Sequence, residues 1–278
     1  MSLWLVLTAF VGLSACVSTG NGTVDPISHP LVPVVSDVDA CRSLIDATRA
    51  VPAGELDTSN IRLVSWNMQK KSIPNWRADY GRLTAAKDLI LLQEASLRVD
   101  TIEDLPTVPY WSFSPGYRTG DSVTGVLTLS SVMPLSRCSF TNTEPLLRTP
   151  KATSITQFAL RGTDETLLVV NVHAVNFSLG LGTYKRQFQQ IEDVLIGHAG
   201  PIILSGDLNT WRAGRVATIE SLAADLELTE LSFGADHRTR VFGLPIDHIY
   251  LRGFATATAV SSIVTSSDHN PIAVTLAM

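Results

Sequence analysis

The chain has 278 residues, of which 45% are apolar and 17% charged, and a net charge of −5. These values exclude a disordered chain and argue against a basic, sequence-blind nucleic-acid binder, although a nuclease that only visits its substrate stays open. Three cysteines, Cys16, Cys41 and Cys138, form no CxxC or Cys/His cluster, which argues against a zinc site.

The first element is "LWLVLTAFVGLSAC", ending at Cys16. It is apolar but too short to span a bilayer, and it reads as the apolar stretch of a secretory signal. Its last four residues, "LSAC", resemble a lipoprotein cleavage box, in which the chain is cut before Cys16 and that cysteine carries the lipid. No Lys or Arg precedes the apolar run. The expectation is a signal over 1–16 and an exported, lipid-anchored protein of the bacterial cell envelope, on the periplasmic side of the outer membrane. Residues 17–60, opening "VSTGNGTVDP", read as a tether and N-terminal extension with a short helix over 40–50. Export would put Cys41 and Cys138 in an oxidising compartment, where they are free to pair.

The domain is expected over 61–278. "IRLVSW" at 61–66 is a strand followed by Asn67, and a helical pattern surrounds 79–87. "DLILLQE" at 88–94 is apolar almost throughout, as a strand buried on both faces is. Strands follow at 122–131, 152–160 and 165–175, the last containing His173. The spacing of Tyr184, Phe188, Ile191 and Leu195 predicts a helix. "PIILSGDLN" is another buried strand, 215–226 is helical, and "IDHIYLRG", "FATATAVSS" and "PIAVTLAM" close the chain as strands. Many strands and few helices, without strict βαβ alternation, predict an α/β protein with two stacked sheets flanked by helices.

Polar residues recur where apolar strands end. Asn67, Glu94, Asp207, Asn209, Asp247 and Asp268 offer hard oxygens, which suit Mg²⁺, Mn²⁺ or Ca²⁺. His173 and His269 add groups that exchange protons near neutral pH. Carboxylates, a divalent ion and a histidine are the parts needed for phosphate-ester hydrolysis.

The ordered set "SWNMQ", "LLQEA", "NVHAVNF", "SGDLNTW", "IDHIYLRG" and "SSDHNPI" resembles the endonuclease/exonuclease/phosphatase superfamily, which includes deoxyribonucleases, AP endonucleases, bacterial sphingomyelinases and inositol polyphosphate phosphatases. The resemblance implies a four-layer α/β/β/α sandwich. It also implies that Glu94 is the main metal carboxylate, with Asn67 beside it and Asp268 completing the site. Asp207 would orient or deprotonate the attacking water, Asn209 would hold a phosphate oxygen, and His269 would meet the phosphate with Asp247 behind it. His173 would be a general acid or phosphate donor, with Asp121 the nearest guess for its carboxylate partner. Arg118, in a glycine-containing loop, is a candidate phosphate contact.

Other features carry less. His248 should face away from Asp247, since strand neighbours alternate. His198 and His237 read as surface residues, Lys185 and Arg186 as a solvated helix face, and Trp211 as either cleft lining or packing. "GLGTYK" lacks the third glycine of a dinucleotide loop, no GxSxG is present, and no exposed apolar hairpin is evident. The expected partners are a phosphate-ester substrate, whether nucleic acid, phospholipid headgroup or small ester, and a membrane held through the N-terminal lipid. No obligate protein partner is evident. The second reading is a catalytically silent, membrane-tethered binding protein on the same fold.

Overall fold

In the computed structural model, residues 26–30, 34–47, 54–98 and 107–278 are described. The apolar signal and Cys16 lie outside the described residues. The elements in chain order are β1 (Ile27–His29), α1 (Val38–Ala47), β2 (Ile61–Asn67), α2 (Trp76–Thr84), β3 (Leu89–Arg98), β4 (Tyr110–Thr119), β5 (Ser122–Ser130), β6 (Ser136–Thr143), β7 (Pro150–Ala159) and β8 (Thr166–His173). They continue with α3 (Gly182–Leu195), β9 (Ile202–Asp207), α4 (Ala213–Asp225), β10 (Thr229–Glu230), β11 (Arg240–Val241), β12 (Leu244–Pro245), β13 (Asp247–Arg252), β14 (Thr256–Ser261) and β15 (Ile272–Ala277).

One sheet has the order β1-β4-β5-β3-β2-β15-β14 and the other β10-β13-β9-β8-β7-β6. Strand alternation sorts their side chains into three apolar layers. Leu63, Leu91, Phe158, Val169, Ile203 and Ile249 fill the seam between the sheets. Val64, Trp66, Ile90 and Leu92 turn outward under Trp76, Tyr80 and Leu83 of α2. Leu168, Val170, Leu204 and Tyr250 turn outward under α1, α3 and α4. The layers are therefore helix, sheet, sheet, helix, as the apolar runs at 88–94 and 201–205 require of strands covered on both faces. Inside the seam, Gln93 Nε2 donates to Asn171 Oδ1 at 2.7 Å, and Asn171 Nδ2 reaches the carbonyls of Leu92 and Leu127. This network cross-links the sheets, although Gln93 Oε1 is buried without a hydrogen-bond partner.

The described parts of the segment expected as a tether do not stand apart from the sandwich. β1 pairs antiparallel with β4, Val35 bridges to Cys138 beside β6, and α1 joins the helical layer. Cys41 on α1 and Cys138 on β6 form a disulfide. β4 and β6 had no clear alternation in the sequence. β4 is interrupted by Pro115 and Gly116 at a register shift, and β6 is rich in Ser, Thr and Asn.

Candidate active site

The polar residues singled out from the sequence meet at one end of the seam because they share the phase of its apolar residues. Asn67 follows Leu63 and Ser65 on β2, and Asp207 follows Ile203 and Ser205 on β9. His173 follows Val169 and Asn171 on β8, and Asp247 precedes Ile249 on β13. Strand register completes the arrangement: His173 pairs with Asp207 across the parallel β8/β9 ladder, and Asp247 pairs with Asp207 across the antiparallel β9/β13 ladder. His173, Asp207 and Asp247 thus form one row over three adjacent strands. Asn67 faces that row from the other sheet, its Nδ2 donating to Asp207 Oδ2 at 3.1 Å.

Gly206 makes the row possible. Its φ is +146°, and a Cβ there would stand 2.0 Å from the carbonyl oxygen of Val172. Only glycine lets β9 approach β8 this closely with Asp207 aimed inward. Asp207 Oδ1 accepts the backbone N–H of Asn209 at 3.1 Å, and Asn209 itself sits at φ +51°. The Asn209 amide donates one of its N–H groups to Ala174 O at 3.1 Å, bracing the loop after β8 and leaving its second N–H for a ligand.

Glu94 reaches the site by a different route. On a regular strand it would point away from the seam, because Gln93 points in. The β3/β5 register shifts between Leu92 and Ala95, and Glu94 adopts φ +49° at this bulge. Bulges redirect side chains in this way, at some cost for a non-glycine residue. Its Oε2 lies 3.3 Å from Lys70 Nζ and its Oε1 lies 3.7 Å from His173 Nε2. Lys70 belongs to a left-handed turn in which Gln69, Lys70 and Lys71 have φ of 46°, 59° and 58°.

Opposing environments separate the two histidines. His269 Nδ1 lies 3.0 and 2.8 Å from the two carboxylate oxygens of Asp247, and its Nε2 lies 3.9 Å from Asp207 Oδ2. Burial works against its charge, but Asp247 and Asp207 outweigh burial and push the imidazole up to about 10. It is an imidazolium at neutral pH. His173 is driven well below the usual histidine value, first by burial and then by the cations of Lys151, His269 and Lys70. Lys151 Nζ stands 2.9 Å from His173 Nε2, and since an ammonium only donates, Nε2 is the acceptor of a neutral ring. Asp207 is raised to about 6 by burial, with Asp247 and Glu94 adding to the rise and His269 and Lys151 opposing it.

Several expectations change. Asp121 is exposed in the turn between β4 and β5, and the partner of His173 is the buried Lys151. A neutral acceptor at Nε2 does not suit His173 to the role of general acid. Arg118 is exposed, and its Nε donates to Gly120 O in its own turn. Asp268 is exposed, with its backbone N–H on Gln69 Oε1 at 3.2 Å. Among the described residues Asp207, Asp247 and His269 form a compact titratable group, with ligand atoms within 4.8 Å of one another, next to Asn67. His248 does face away from the site, and its Nδ1 meets Glu230 Oε1 at 2.6 Å. Trp211 packs between Arg215 and Phe242 while its Nε1 donates to Asn176 Oδ1.

Sequence reading missed Lys70, Lys151 and Arg215. Buried Arg215 donates to the carbonyls of Val175, Asn176 and Asn209 and stacks on Tyr184, so it ties the loop after β8 to the loop after β9. A lysine or arginine near a strand or helix start has no local signature of burial. Only the pairing of distant loops reveals it.

Residues 58–269 match the Endonuclease/Exonuclease/phosphatase family. The chain belongs to that family. A UPF0294 protein of Vibrio parahaemolyticus is 34% identical over 225 residues, spanning 80% of this chain and 79% of that one. Among solved structures, a mannosyl-6-phosphatase of Bacteroides thetaiotaomicron superposes with a TM-score of 0.54 at 15% identity, covering 78% of this chain and 100% of that one. Beta toxin from Staphylococcus aureus, carrying bound magnesium ions, gives 0.57 at 14% identity over 79% of this chain and 100% of that one. At such identities the shared property is the fold, and the endonuclease/exonuclease/phosphatase sandwich is the fold found here.

Proposed function

We propose that this chain is a divalent-metal-dependent phosphoesterase in which Asp207 activates water for in-line attack on a phosphate ester. The observation that carries this reading is the row of His173, Asp207 and Asp247, with His269 held on Asp247, facing Asn67 and the bulged Glu94. The donor set fits a hard cation: Glu94 is a partly buried carboxylate with an exposed lysine ammonium as its counter-charge, and the Asn67 amide oxygen, which accepts the Gln69 backbone N–H at 3.1 Å, keeps a second lone pair. Glu94 and Asn67 would hold the ion, with Asp268 at the exposed edge. Bound there, Mg²⁺ or Mn²⁺ would neutralise phosphoryl charge.

The chain's own residues divide the remaining work. Asp207, raised toward neutrality, is a base matched to physiological pH and takes a proton from the attacking water. His269, held charged by Asp247, stabilises the negative phosphoryl oxygens and carries a proton for the leaving oxygen. Neutral His173 aims the Lys151 ammonium at the same space. Asn209 offers its second N–H. The N-terminal run ending at Cys16 supports placement of this activity at the cell envelope.

The metal assignment is tested with Glu94→Gln. We expect the concentration of Mn²⁺ needed for half-maximal hydrolysis of bis-p-nitrophenyl phosphate to rise about 10-fold or more, because a charged ligand is lost. An unchanged metal requirement would remove Glu94 from the site. Plasmid DNA, RNA, phospholipid vesicles and inositol phosphates, tried in parallel, identify the ester.

A further inference from the structure

Four segments border the row of site residues as its rim, following β6, β8 and β9 and preceding β13, and their composition differs from that of the whole chain. They span 145–151, 174–186, 208–216 and 237–246. Together they hold eight Lys and Arg, of which Lys151 and Arg215 are buried and Arg238 and Arg240 pair with Asp236, leaving Arg148, Lys185, Arg186 and Arg212. They also gather exposed apolar side chains. Of nine exposed large apolar residues among the described residues, five lie here: Leu146, Leu147, Phe177, Leu179 and Phe242. Phe242 and Leu179 are 86% and 85% exposed. Scattered exposed apolar residues need no explanation, but a cluster around a reacting centre does.

The loops are joined to one another and to the site. Buried Glu144 accepts the backbone N–H groups of Asn176 and Phe177 at 2.7 and 3.2 Å, which ties the segment carrying Leu146 and Leu147 to the one carrying Phe177. Arg212 donates to Gly180 O at 2.8 Å, and the rings of Trp211 and Phe242 meet edge-on at 6.3 Å. Thr239, at the base of the β11/β12 hairpin, donates to Asp268 O at 3.1 Å. Phe242 forms the tip of that hairpin with Gly243, at φ +52° and +83°. No exposed apolar hairpin is expected from the sequence. "VFGL" hides one, because the two-residue turn usually carries Asn-Gly or Gly-Gly and not a phenylalanine. Phe242 is unfavourable there twice over, as a bulky side chain in left-handed backbone and as an apolar group in water.

We propose that this rim docks onto an anionic lipid surface, with Phe242 and the exposed leucines entering the acyl region and Arg148, Lys185, Arg186 and Arg212 meeting acidic headgroups. The phosphate ester of a lipid then lies over Asp207 and His269. Exposed apolar residues interleaved with Arg148, Lys185, Arg186 and Arg212 match the two terms of interfacial binding: buried apolar area and attraction to anionic lipid. Single-stranded nucleic acid fits less well, because Leu146, Leu147 and Leu179 offer no ring for bases to stack on. The docking surface stands on the rim alone; only the choice of a lipid ester as substrate rests on the phosphoesterase reading.

The test is hydrogen exchange on the full chain with phosphatidylcholine vesicles, with and without phosphatidylglycerol. Slower exchange over 145–149, 176–181 and 239–245, stronger on the anionic vesicles, is the expected result. In a Leu147→Ser/Phe242→Ser variant whose thermal unfolding matches wild type, half-protection should need about tenfold more lipid. Protection confined to residues 1–25, protection of the rim by single-stranded DNA but not by vesicles, or equal protection in the double variant would each overturn the proposal. Hydrolysis of soluble bis-p-nitrophenyl phosphate by the wild type, measured without lipid, reports on the phosphoesterase reading separately.

Discussion

Asp207 and His269 occupy the same few ångströms in opposite electrostatic positions. Asp207 is buried with its pKa raised, so its charge costs stability once the pH passes from the ordinary carboxylate value through about 6. Asp207→Asn in chelator should therefore gain roughly 1–3 kcal/mol of unfolding free energy at pH 7 while losing hydrolysis. A variant no more stable than wild type would contradict the burial argument. His269 has a raised folded-state pKa, so its contribution is complete below about 6.5 and is lost as pH rises through about 10. Denaturant titrations in chelator from pH 7 to 10 should show a fall in unfolding free energy that His269→Gln lacks. These two residues were readable in the sequence because each stands beside an apolar strand run. Lys151 and Lys70 were not, because their charge is placed by loops far apart in the chain.

At the level of elements, the site is a consequence of strand phase. Asn67, His173, Asp207 and Asp247 were legible because each continues the inward set of its strand, and the ladders then align three of them. Glu94 breaks that phase. Its residue type marked it, but the bulge that turns it inward has no sequence signal. Arg118 shows the converse, since a basic residue in a glycine-containing segment suggested a phosphate contact and the side chain instead closes its own turn. Gly206 is the tightest point of the arrangement. Gly206→Ala should cost roughly 3 kcal/mol, from left-handed backbone strain and a clash with β8, and should depress hydrolysis with it. The denaturation midpoint measures the first effect and the turnover of a soluble ester the second. An unperturbed protein would mean that β8 and β9 are not packed this closely.

Over the whole molecule, the layered sandwich was legible because the apolar runs at 88–94 and 201–205 suggest strands covered on both faces. The extent of the fold was not. "VSTGNGTVDPISHP" has a linker's composition, yet β1 and α1, which follow or overlap it, add to the sheet and to the helical layer. The disulfide between Cys41 and Cys138 fastens this N-terminal part across a sequence separation of 97 residues. Cys41→Ser should lower stability by about 2–5 kcal/mol under oxidising conditions and leave the variant insensitive to reductant. Equal stability of variant and wild type would show that α1 is held by packing alone.

The end of the seam between the sheets is proposed as a metal-dependent hydrolytic site, and its activity on a soluble ester tests that proposal. The rate of bis-p-nitrophenyl phosphate hydrolysis is followed in Mg²⁺, in Mn²⁺ and in chelator, for wild type and His269→Ala. Wild-type hydrolysis should disappear in chelator and should fall by about 10²-fold or more in His269→Ala. Wild type and variant equally inert in every metal, and with every phosphate ester offered, would contradict the proposal and leave a binding protein on the same fold.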